Sequence, residues 1–549
     1  MARALSALQK TWTTTKAGLL SLKDSPRDLH LIFAINFLES FNYFSLSLVF
    51  VLFLTDAFNI GDVQAGSYYG LWGTLLFLYG IPIGGLIDVL GVKRSLLACQ
   101  VLNIGGRFIM AATQSKVIML LSLLGPVTLA GTLGSPVLTI GVKRFTSEGN
   151  RGLAFSLFYT VMNVGSLMTG LLLDFFRIQL PNGLNIAAFG PGTLFNNGLR
   201  LLLLVGCLAS VVSTGLVLLL EEKLPGPLEV DKRRMSMDPT IPLQESFRAS
   251  ERGDPGEEPK LRPRQHSLDG MQIPTAPRHA SWRSWISSKY STLLLELREL
   301  GRSGEFWKFM AMCLFTINLK QIFRHLDATM PKTLVRTYGC DAPVGRIYSI
   351  NPAMIILLVP IAGVLLSGFE HFDVIHWGGY LSGLAPFWIV FFRPEWAYIL
   401  FVIFMSLGEM IWSPRWYDYS MSVAPEGREG IFGSAASAPL FLAKLPTGAL
   451  SGFLLGKYCA DNHKCEAHPT SPPVDIPCHA STIWLIIGLL TLSSPFCILL
   501  TQRWIRPAQQ HPLRLPVSSA IAVETEEASL SLASEQLQPD SLPFARGQP

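Results

Sequence analysis

The chain has 549 residues, of which 49% are hydrophobic and 15% are charged, and its formal net charge is +5. A soluble domain carries about 25% charged residues, so much of this chain's surface is expected to face lipid. The basic residues are spread over short loops instead of forming one patch, which gives no support to nucleic-acid binding. The composition therefore indicates an integral membrane protein.

Twelve apolar runs are each long enough to cross a bilayer, whose hydrocarbon core takes about 20 residues of helix. The first six runs lie near residues 31–55, 66–87, 95–112, 117–140, 153–174 and 200–220. The second six lie near residues 305–328, 347–369, 374–392, 396–414, 431–456 and 482–502. They predict an all-α membrane protein with twelve transmembrane helices in two six-helix halves, 31–220 and 304–505.

Three polar segments flank the predicted halves. Residues 221–303 are rich in Pro, Arg, Ser and Glu and cannot bury enough apolar surface to offset their ordering entropy, so we predict a mostly disordered linker. Its end, from Ser281 to Arg302, repeats apolar residues at spacings of three and four, as an amphipathic helix on a membrane surface does. Residues 1–30 are predicted to be a cytoplasmic N-terminal segment, and 506–549 a disordered cytoplasmic tail.

Basic residues in the short loops predict the orientation of the chain. Five of them share one side with the linker and both termini: Lys93, Arg94, Lys143, Arg144 and Arg151. The loop at 56–65, on the opposite side, has two Asp residues and no base. Lys332, Arg336 and Arg346 fall on that outer side and go against the rule. We predict cytoplasmic termini, in the plasma membrane or an endomembrane.

The eight cysteines divide into two groups. Four lie inside apolar runs: Cys99, Cys207, Cys313 and Cys497. Four lie in loops of the predicted outer side: Cys340, Cys459, Cys465 and Cys478. An oxidising compartment permits disulfides among these four, with three possible pairings, and free thiols are the alternative.

A polar motif connects the second and third apolar runs. It contains Gly84, Asp88, Gly91, Lys93 and Arg94, and its spacing resembles the G-x-x-x-D-x-x-G-x-[KR]-[KR] loop signature of the major facilitator superfamily. The glycines allow a tight reversal and a close approach of helices, and the carboxylate can cap a helix or pair with a base across the two halves. We predict that the motif latches the inner gate; an ordinary helix connection is the alternative.

Three further stretches resemble a narrower family. Residues 155–167, 351–360 and 408–425 are similar, in the right order, to parts of the fifth, eighth and tenth helices of the proton-dependent oligopeptide transporters. The match has departures. The first-helix E-x-x-E-R motif of that family corresponds to residues 39–43, where only Glu39 remains, and Ser135 stands where a fourth-helix Lys is expected. The resemblance implies a shared transporter scaffold, whereas proton-driven peptide uptake does not follow from it.

Ionisable groups inside apolar runs are costly and tend to be functional or paired. Glu39 lies near the middle of the first run and Glu409 near the middle of the tenth. Each is a candidate proton or substrate site. The alternative for Glu409 is a structural ion pair, for which Lys444 on the eleventh run is the candidate partner.

The seventh run is the most polar. Lys320, Arg324 and Asp327 are spaced by four and three residues and share one helix face, which we expect to line a cavity between the halves. Cationic groups there suit an anionic or zwitterionic solute. The alternative is that the helix ends near Gln321 and the charges are solvated at the outer rim. Arg107 in the third run is a weaker candidate for this cavity, since an Arg near a helix end can extend to the lipid headgroups.

These patterns together predict a secondary active or facilitative transporter of a small anionic or zwitterionic organic solute, working by alternating access with or without proton coupling. The candidate substrate or proton residues are Glu39, Asn42, Tyr43, Asn163, Asn318, Lys320, Arg324, Asp327, Glu409 and Lys444. No metal-spaced Cys/His set, phosphate-cradling loop or nucleophile elbow occurs, so we expect no catalysis, metal or cofactor. The expected partners are the solute and the bilayer. The alternative function is a transport-inactive receptor or scaffold that acts through the linker.

Overall fold

The computed structural model describes residues 25–146, 151–183, 195, 197–221, 302–366, 369–423, 439–461 and 477–505. These residues form helices and short connections, with no strand among them. Ten of their helical segments are long and apolar enough to cross a membrane. The remaining two predicted runs, 66–87 and 305–328, are helical as well. The fold is the predicted all-α membrane bundle.

In the first half of the bundle, the part that the structure describes forms six α-helices. They are α1 (Arg27–Phe58), α2 (Asp62–Ala112), α3 (Lys116–Ser122), α4 (Thr128–Phe145), α5 (Arg151–Asp174) and α6 (Gly198–Leu218). A π-helical segment, Leu123–Val127, joins α3 to α4, and a second one, Phe175–Gln179, extends α5. Helix α2 holds two predicted runs, which separate at Gly91. The φ of Gly91 is 78°, in the left-handed region that favours glycine, so the predicted reversal occurs there.

Eight α-helices are formed by the described residues of the second half. They are α7 (Gly304–Ala328), α8 (Met330–Tyr338), α9 (Val344–Leu365), α10 (His371–Leu384), α11 (Phe387–Phe391), α12 (Trp396–Val423), α13 (Lys444–Tyr458) and α14 (Ala480–Ile505). Only Thr329 separates α7 from α8, and Pro331 lies in the first turn of α8, where its missing N–H is tolerated. The alternative in which this helix ends near Gln321 is therefore wrong.

The two halves pack on each other through α2 with α13 and through α5 with α9. Glycines make the first contact very close, because a Cβ added to Gly66 would lie 2.2 Å from the carbonyl oxygen of Gly448. In the second contact, a Cβ added to Gly170 would lie 2.5 Å from the carbonyl oxygen of Gly345. Larger side chains at these positions would separate the backbones.

Two apolar clusters show where the halves meet. We use "outer end" for the end of the bundle that holds the 59–61 connection after α1, and "inner end" for the opposite one, following the predicted orientation. The larger cluster contains buried residues of both halves, including Phe58 and Leu455 near the outer end. The smaller cluster lies at the inner end and draws its described residues from the first half alone, from Leu29 to Leu220. Among the described residues, apolar contact between the halves thus lies toward the outer end.

Several predicted segments lie outside the described residues. They include nearly all of the N-terminal segment at 1–30, the linker at 221–303 with the amphipathic helix from Ser281 to Arg302, and the tail at 506–549. The predictions for these segments stay predictions.

Candidate functional site

A cavity of about 270 Å³ lies between the two halves. Four of the predicted site residues line it from the first half: Glu39, Asn42, Tyr43 and Asn163. Four more line it from the second half: Lys320, Arg324, Asp327 and Glu409. The helix spacing of the seventh run therefore brings its charged residues to one cavity wall.

Glu39 lies in a network of amide groups supplied by α2. Its Oε1 accepts a hydrogen bond from Gln100 Nε2 at 2.8 Å, and its Oε2 accepts one from Asn103 Nδ2 at 3.3 Å. The neighbouring Arg107 donates to the carbonyl oxygen of Asn42 and to Ser45 Oγ, the latter at 3.4 Å. Arg107 lines the cavity and is only 2% exposed, so the alternative in which it extends to the headgroups is wrong.

Asp327 joins the halves through one carboxylate oxygen. Asp327 Oδ2 accepts hydrogen bonds from Ser47 Oγ at 2.6 Å and Tyr69 OH at 3.1 Å, both in the first half. The same oxygen accepts from Arg324 Nη1 at 3.2 Å within α7. An acid on α7 is thus held by donors of both halves, beside the base that shares its helix face.

Glu409 lies on the wall formed by α12. Its Oε2 accepts a hydrogen bond from Asn351 Nδ2 at 2.8 Å, and Lys320 lines the same cavity. The Lys320 ammonium lies 4.3 Å from the centre of the Trp412 ring. Glu409 therefore faces the cavity beside Lys320, and the predicted ion pair with Lys444 is not formed.

Lys444 lies instead among aromatic rings of the first half. Its Nζ is 3.3 Å from the ring centre of Trp72, 4.9 Å from that of Tyr43 and 5.1 Å from that of Tyr69. The residue is fully buried. Its proximity to these rings, which belong to α1 and α2, is the physical reason why it does not reach Glu409.

Two amides of the predicted set make local contacts. Asn318 Nδ2 donates to Ser493 Oγ of α14 at 2.9 Å, and Asn318 is not part of the described cavity lining. It belongs to a helix contact, because it points away from the face that carries Lys320. Asn163 lines the cavity while its Nδ2 donates to the carbonyl oxygen of Tyr159 at 2.9 Å.

The predicted inner latch differs from its expected form. Lys93 Nζ donates to the carbonyl oxygens of Leu218 at 2.9 Å and Leu220 at 2.7 Å, which belong to the end of α6 in the same half. Arg94 is exposed. The surroundings of Gly84 and the side chain of Asp88 lie outside what the structure describes, so a latch through the acid stays a prediction.

A group of ion pairs at the outer end escaped the sequence analysis. Arg336 binds both carboxylate oxygens of Asp62 across the halves, at 2.8 and 2.9 Å, and also Asp461 at 3.0 Å. Lys332 pairs with Asp56 at 3.1 Å. The sequence contained an indication of these ion pairs, because Lys332 and Arg336 fall on the outer side and go against the rule that predicts the orientation.

A second contact between the halves joins α5 to α9. Asp174 accepts hydrogen bonds from the backbone N–H groups of Gly345 and Arg346, both at 2.8 Å, and so caps the start of α9. Arg177 donates to the carbonyl oxygens of Cys340, at 2.6 Å, and of Ala342. Polar groups therefore close the outer end on both sides of the bundle.

The outer-loop cysteines include a disulfide between Cys459 and Cys478. Cys340 is disulfide-bonded as well. The four cysteines of the apolar runs are free thiols. One disulfide is adjacent to the outer ion pairs, since Arg336 Nη1 donates to the carbonyl oxygen of Cys459 at 2.5 Å.

The chain belongs to the Major Facilitator Superfamily, whose sequence model matches residues 32–443. Dipeptide and tripeptide permease A of Chromobacterium violaceum is 24% identical to it over 149 residues, which are 26% of this chain and 30% of the permease. The matched segment thus spans less than a third of that relative.

Two solved structures illustrate the shared fold. A POT family transporter in complex with 5-aminolevulinic acid has a TM-score of 0.61 and 15% identity, over 88% of this chain and 97% of the other. The nucleoside transporter NupG has a TM-score of 0.58 and 11% identity, over 86% of this chain and 99% of the other. At these identities the likeness shows the fold alone, while the predicted resemblance to the peptide transporter family is confirmed.

Proposed function

We propose that this protein carries a small organic solute with an anionic group across a membrane by alternating access. The observation that carries the proposal is the pair of bases, Lys320 and Arg324, on the wall of a cavity between two halves that are joined at the outer end. Two adjacent cationic side chains can give a carboxylate charge-assisted hydrogen bonds, which are about twice as strong as neutral ones.

The cavity wall also carries acids that hold the bases in place when no solute is bound. Asp327 contacts Arg324 directly, and Glu409 lies near Lys320. An anionic solute that enters competes with these acids for the bases. This competition gives a reason for carboxyl groups at the site, because binding of the solute frees an acid to take up a proton.

The relatives favour a solute that has both an amino and a carboxyl group, as peptides and aminolevulinic acid do. The departures from the peptide transporter pattern argue against simple transfer of that activity, because Tyr43 and Ser135 replace the basic residues expected there. The proposal is therefore a zwitterionic solute whose carboxylate binds near Lys320 and Arg324, with Glu409 and Glu39 as the candidate proton sites.

The test is solute flux into vesicles that contain the purified protein. The panel comprises di- and tripeptides, amino acids, organic anions, sugars and nucleosides. We expect flux of a carboxylate-bearing solute, and Lys320→Ala or Arg324→Ala should raise its half-saturating concentration at least about tenfold, the loss expected for a hydrogen bond to a charged group. Lys457→Ala, an exposed site outside the cavity, is the matched control. No flux of any solute would contradict transport and favour the receptor or scaffold alternative.

Proton coupling is tested with Glu409→Gln, which keeps the side-chain volume and the contact with Asn351 but cannot take up a proton. If Glu409 carries the proton, flux of the variant no longer responds to a pH gradient. Glu39→Gln is the matched change in the first half. An unchanged response in Glu409→Gln removes this residue from the coupling mechanism.

A further inference from the structure

Trp72, Tyr43 and Tyr69 surround the ammonium group of Lys444 and form what we call the aromatic cage. The Nζ lies 3.3 Å from the centre of the Trp72 ring and about 5 Å from the other two, at 4.9 and 5.1 Å. Lys444 is 0% exposed, and within the described residues its Nζ has no hydrogen-bond partner. Ring faces attract cations, most strongly where water is excluded.

The cage and its occupant belong to different halves of the molecule. The rings lie on α1 and α2, whereas Lys444 lies at the start of α13. Lys444 enters the cage because α13 packs very closely on α2; a Cβ added to Gly73 would lie 2.4 Å from Lys444 Cβ. When α13 moves away from α2, the lysine leaves the cage with it.

The cage lies beside the charged groups of the cavity wall. Asp327 of that wall pairs with Arg324 at 3.2 Å. Lys444 is a further base, and in the described residues it forms no ion pair. Asp327 lies behind the cage, since it accepts a hydrogen bond from Tyr69 OH at 3.1 Å. The attraction of the cage for a cation therefore comes from the faces of its rings, because the carboxylate behind it is already paired with Arg324.

We propose that the aromatic cage is the binding site for the ammonium group of the transported solute, and that Lys444 occupies it while the outer end is closed. The proposal rests on the proposed function and specifies its solute as a zwitterion. Tyr43 and Trp72 line the same cavity as Lys320 and Arg324. A solute can therefore place its ammonium group in the cage and its carboxylate on the opposite half.

The first experiment empties the cage. Lys444→Ala removes four heavy atoms of the side chain, three carbons and the nitrogen, and n-propylammonium has the same four. The uncharged control of the same size is 1-propanol. Binding is followed by thermal unfolding of the full chain in detergent. We expect n-propylammonium to bind Lys444→Ala at least about tenfold more tightly than 1-propanol does. The added change Trp72→Leu should remove this preference, and Lys444→Met, which fills the cage, should show none.

The second experiment opens the cage while Lys444 is present. Gly448→Leu inserts a side chain against α2 and Arg336→Ala removes an outer ion pair, so either change should release α13 from α2. We expect both variants to bind n-propylammonium more tightly than the unaltered protein does, again with a preference over 1-propanol. Two different variants guard against one that fails to fold.

Either of two results overturns the proposal. The first is equal binding of n-propylammonium and 1-propanol to Lys444→Ala. The second is binding to Lys444→Ala but to neither opened variant, which would make Lys444 only a fixed link between the halves. Both measurements are made without flux, so a protein that transports nothing would contradict the proposed function while the cage results stand by themselves.

Discussion

The two ends of the bundle are held together by different interactions. At the outer end, ion pairs, a capped helix and close glycine contacts join one half to the other. At the inner end, the described apolar cluster and the Lys93 contacts stay within the first half. The described contacts thus close this conformation at the outer end. Under the proposed alternating access, these outer contacts break and re-form in each cycle.

Arg336→Ala is expected to lower the stability of the protein most. The Arg336 side chain is 3% exposed and the Asp62 side chain 8%, so the variant leaves a buried carboxylate without its base. Breaking a buried pair on one side costs about 3–5 kcal/mol, which would appear as a lower unfolding temperature. Arg346→Ala, whose side chain is 63% exposed, is the control and should cost less than about 1 kcal/mol. Adding Asp62→Asn to Arg336→Ala should recover part of the loss; no recovery would contradict the role of the pair.

Loss of the Cys459–Cys478 disulfide is expected to have the second-largest effect on stability. The two cysteines are 19 residues apart, and a disulfide that closes a loop of about that length contributes about 3 kcal/mol. The measurement compares the unfolding temperature of the protein with that of the double variant Cys459→Ser, Cys478→Ser. Cys497→Ser, which removes a free thiol, is the control. An equal unfolding temperature would show that the outer loop does not support the closed end.

Gly448→Leu tests the close contact of α2 with α13. A Cβ at this position would lie 2.2 Å from the carbonyl oxygen of Gly66, so the helices must separate, at a cost of about 1–3 kcal/mol for overpacking. Gly456→Leu on the same helix is the matched control, because its Cβ would meet only Val63, at 3.7 Å. Labelling of a cysteine placed at Ala65, which is buried on α2 near the outer end, by a membrane-impermeant thiol reagent measures the opening. Equal labelling in both variants would contradict a closed outer end.

Lys93→Ala is expected to have the smallest effect. The lysine binds carbonyl oxygens of α6 within its own half, and its loss should cost about 1 kcal/mol, the usual net contribution of a hydrogen bond. The variant should leave the labelling of the cysteine at Ala65 unchanged. Increased or decreased labelling would show that this side chain also takes part in the balance between the two ends.

The sequence was sufficient for the helices and for much of the cavity. Hydrophobic run length located the crossings, and the spacing of Lys320, Arg324 and Asp327 placed three charges on one face, because both signals are local. The partner of Lys444 and the burial of Arg107 were not predictable, since they depend on which distant helices pack together. The outer ion pairs lie between these cases. Lys332 and Arg336 were noticed as exceptions, but their acids became known only with the fold.

Helices α7 and α8 follow each other with only Thr329 between them, and this continuity has a mechanical consequence. Lys320 at the cavity lies on α7, and Arg336 at the outer end lies on α8. At the helical rise of 1.5 Å per residue, about 24 Å separates them along the two helices. If α7 and α8 tilt slightly when a solute binds, the outer end of α8 moves farther than the part of α7 at the cavity. Binding of a solute in the cavity would thus be coupled to movement of the outer end through the tilt of α7 and α8. No chain of intermediate side chains is needed for this coupling.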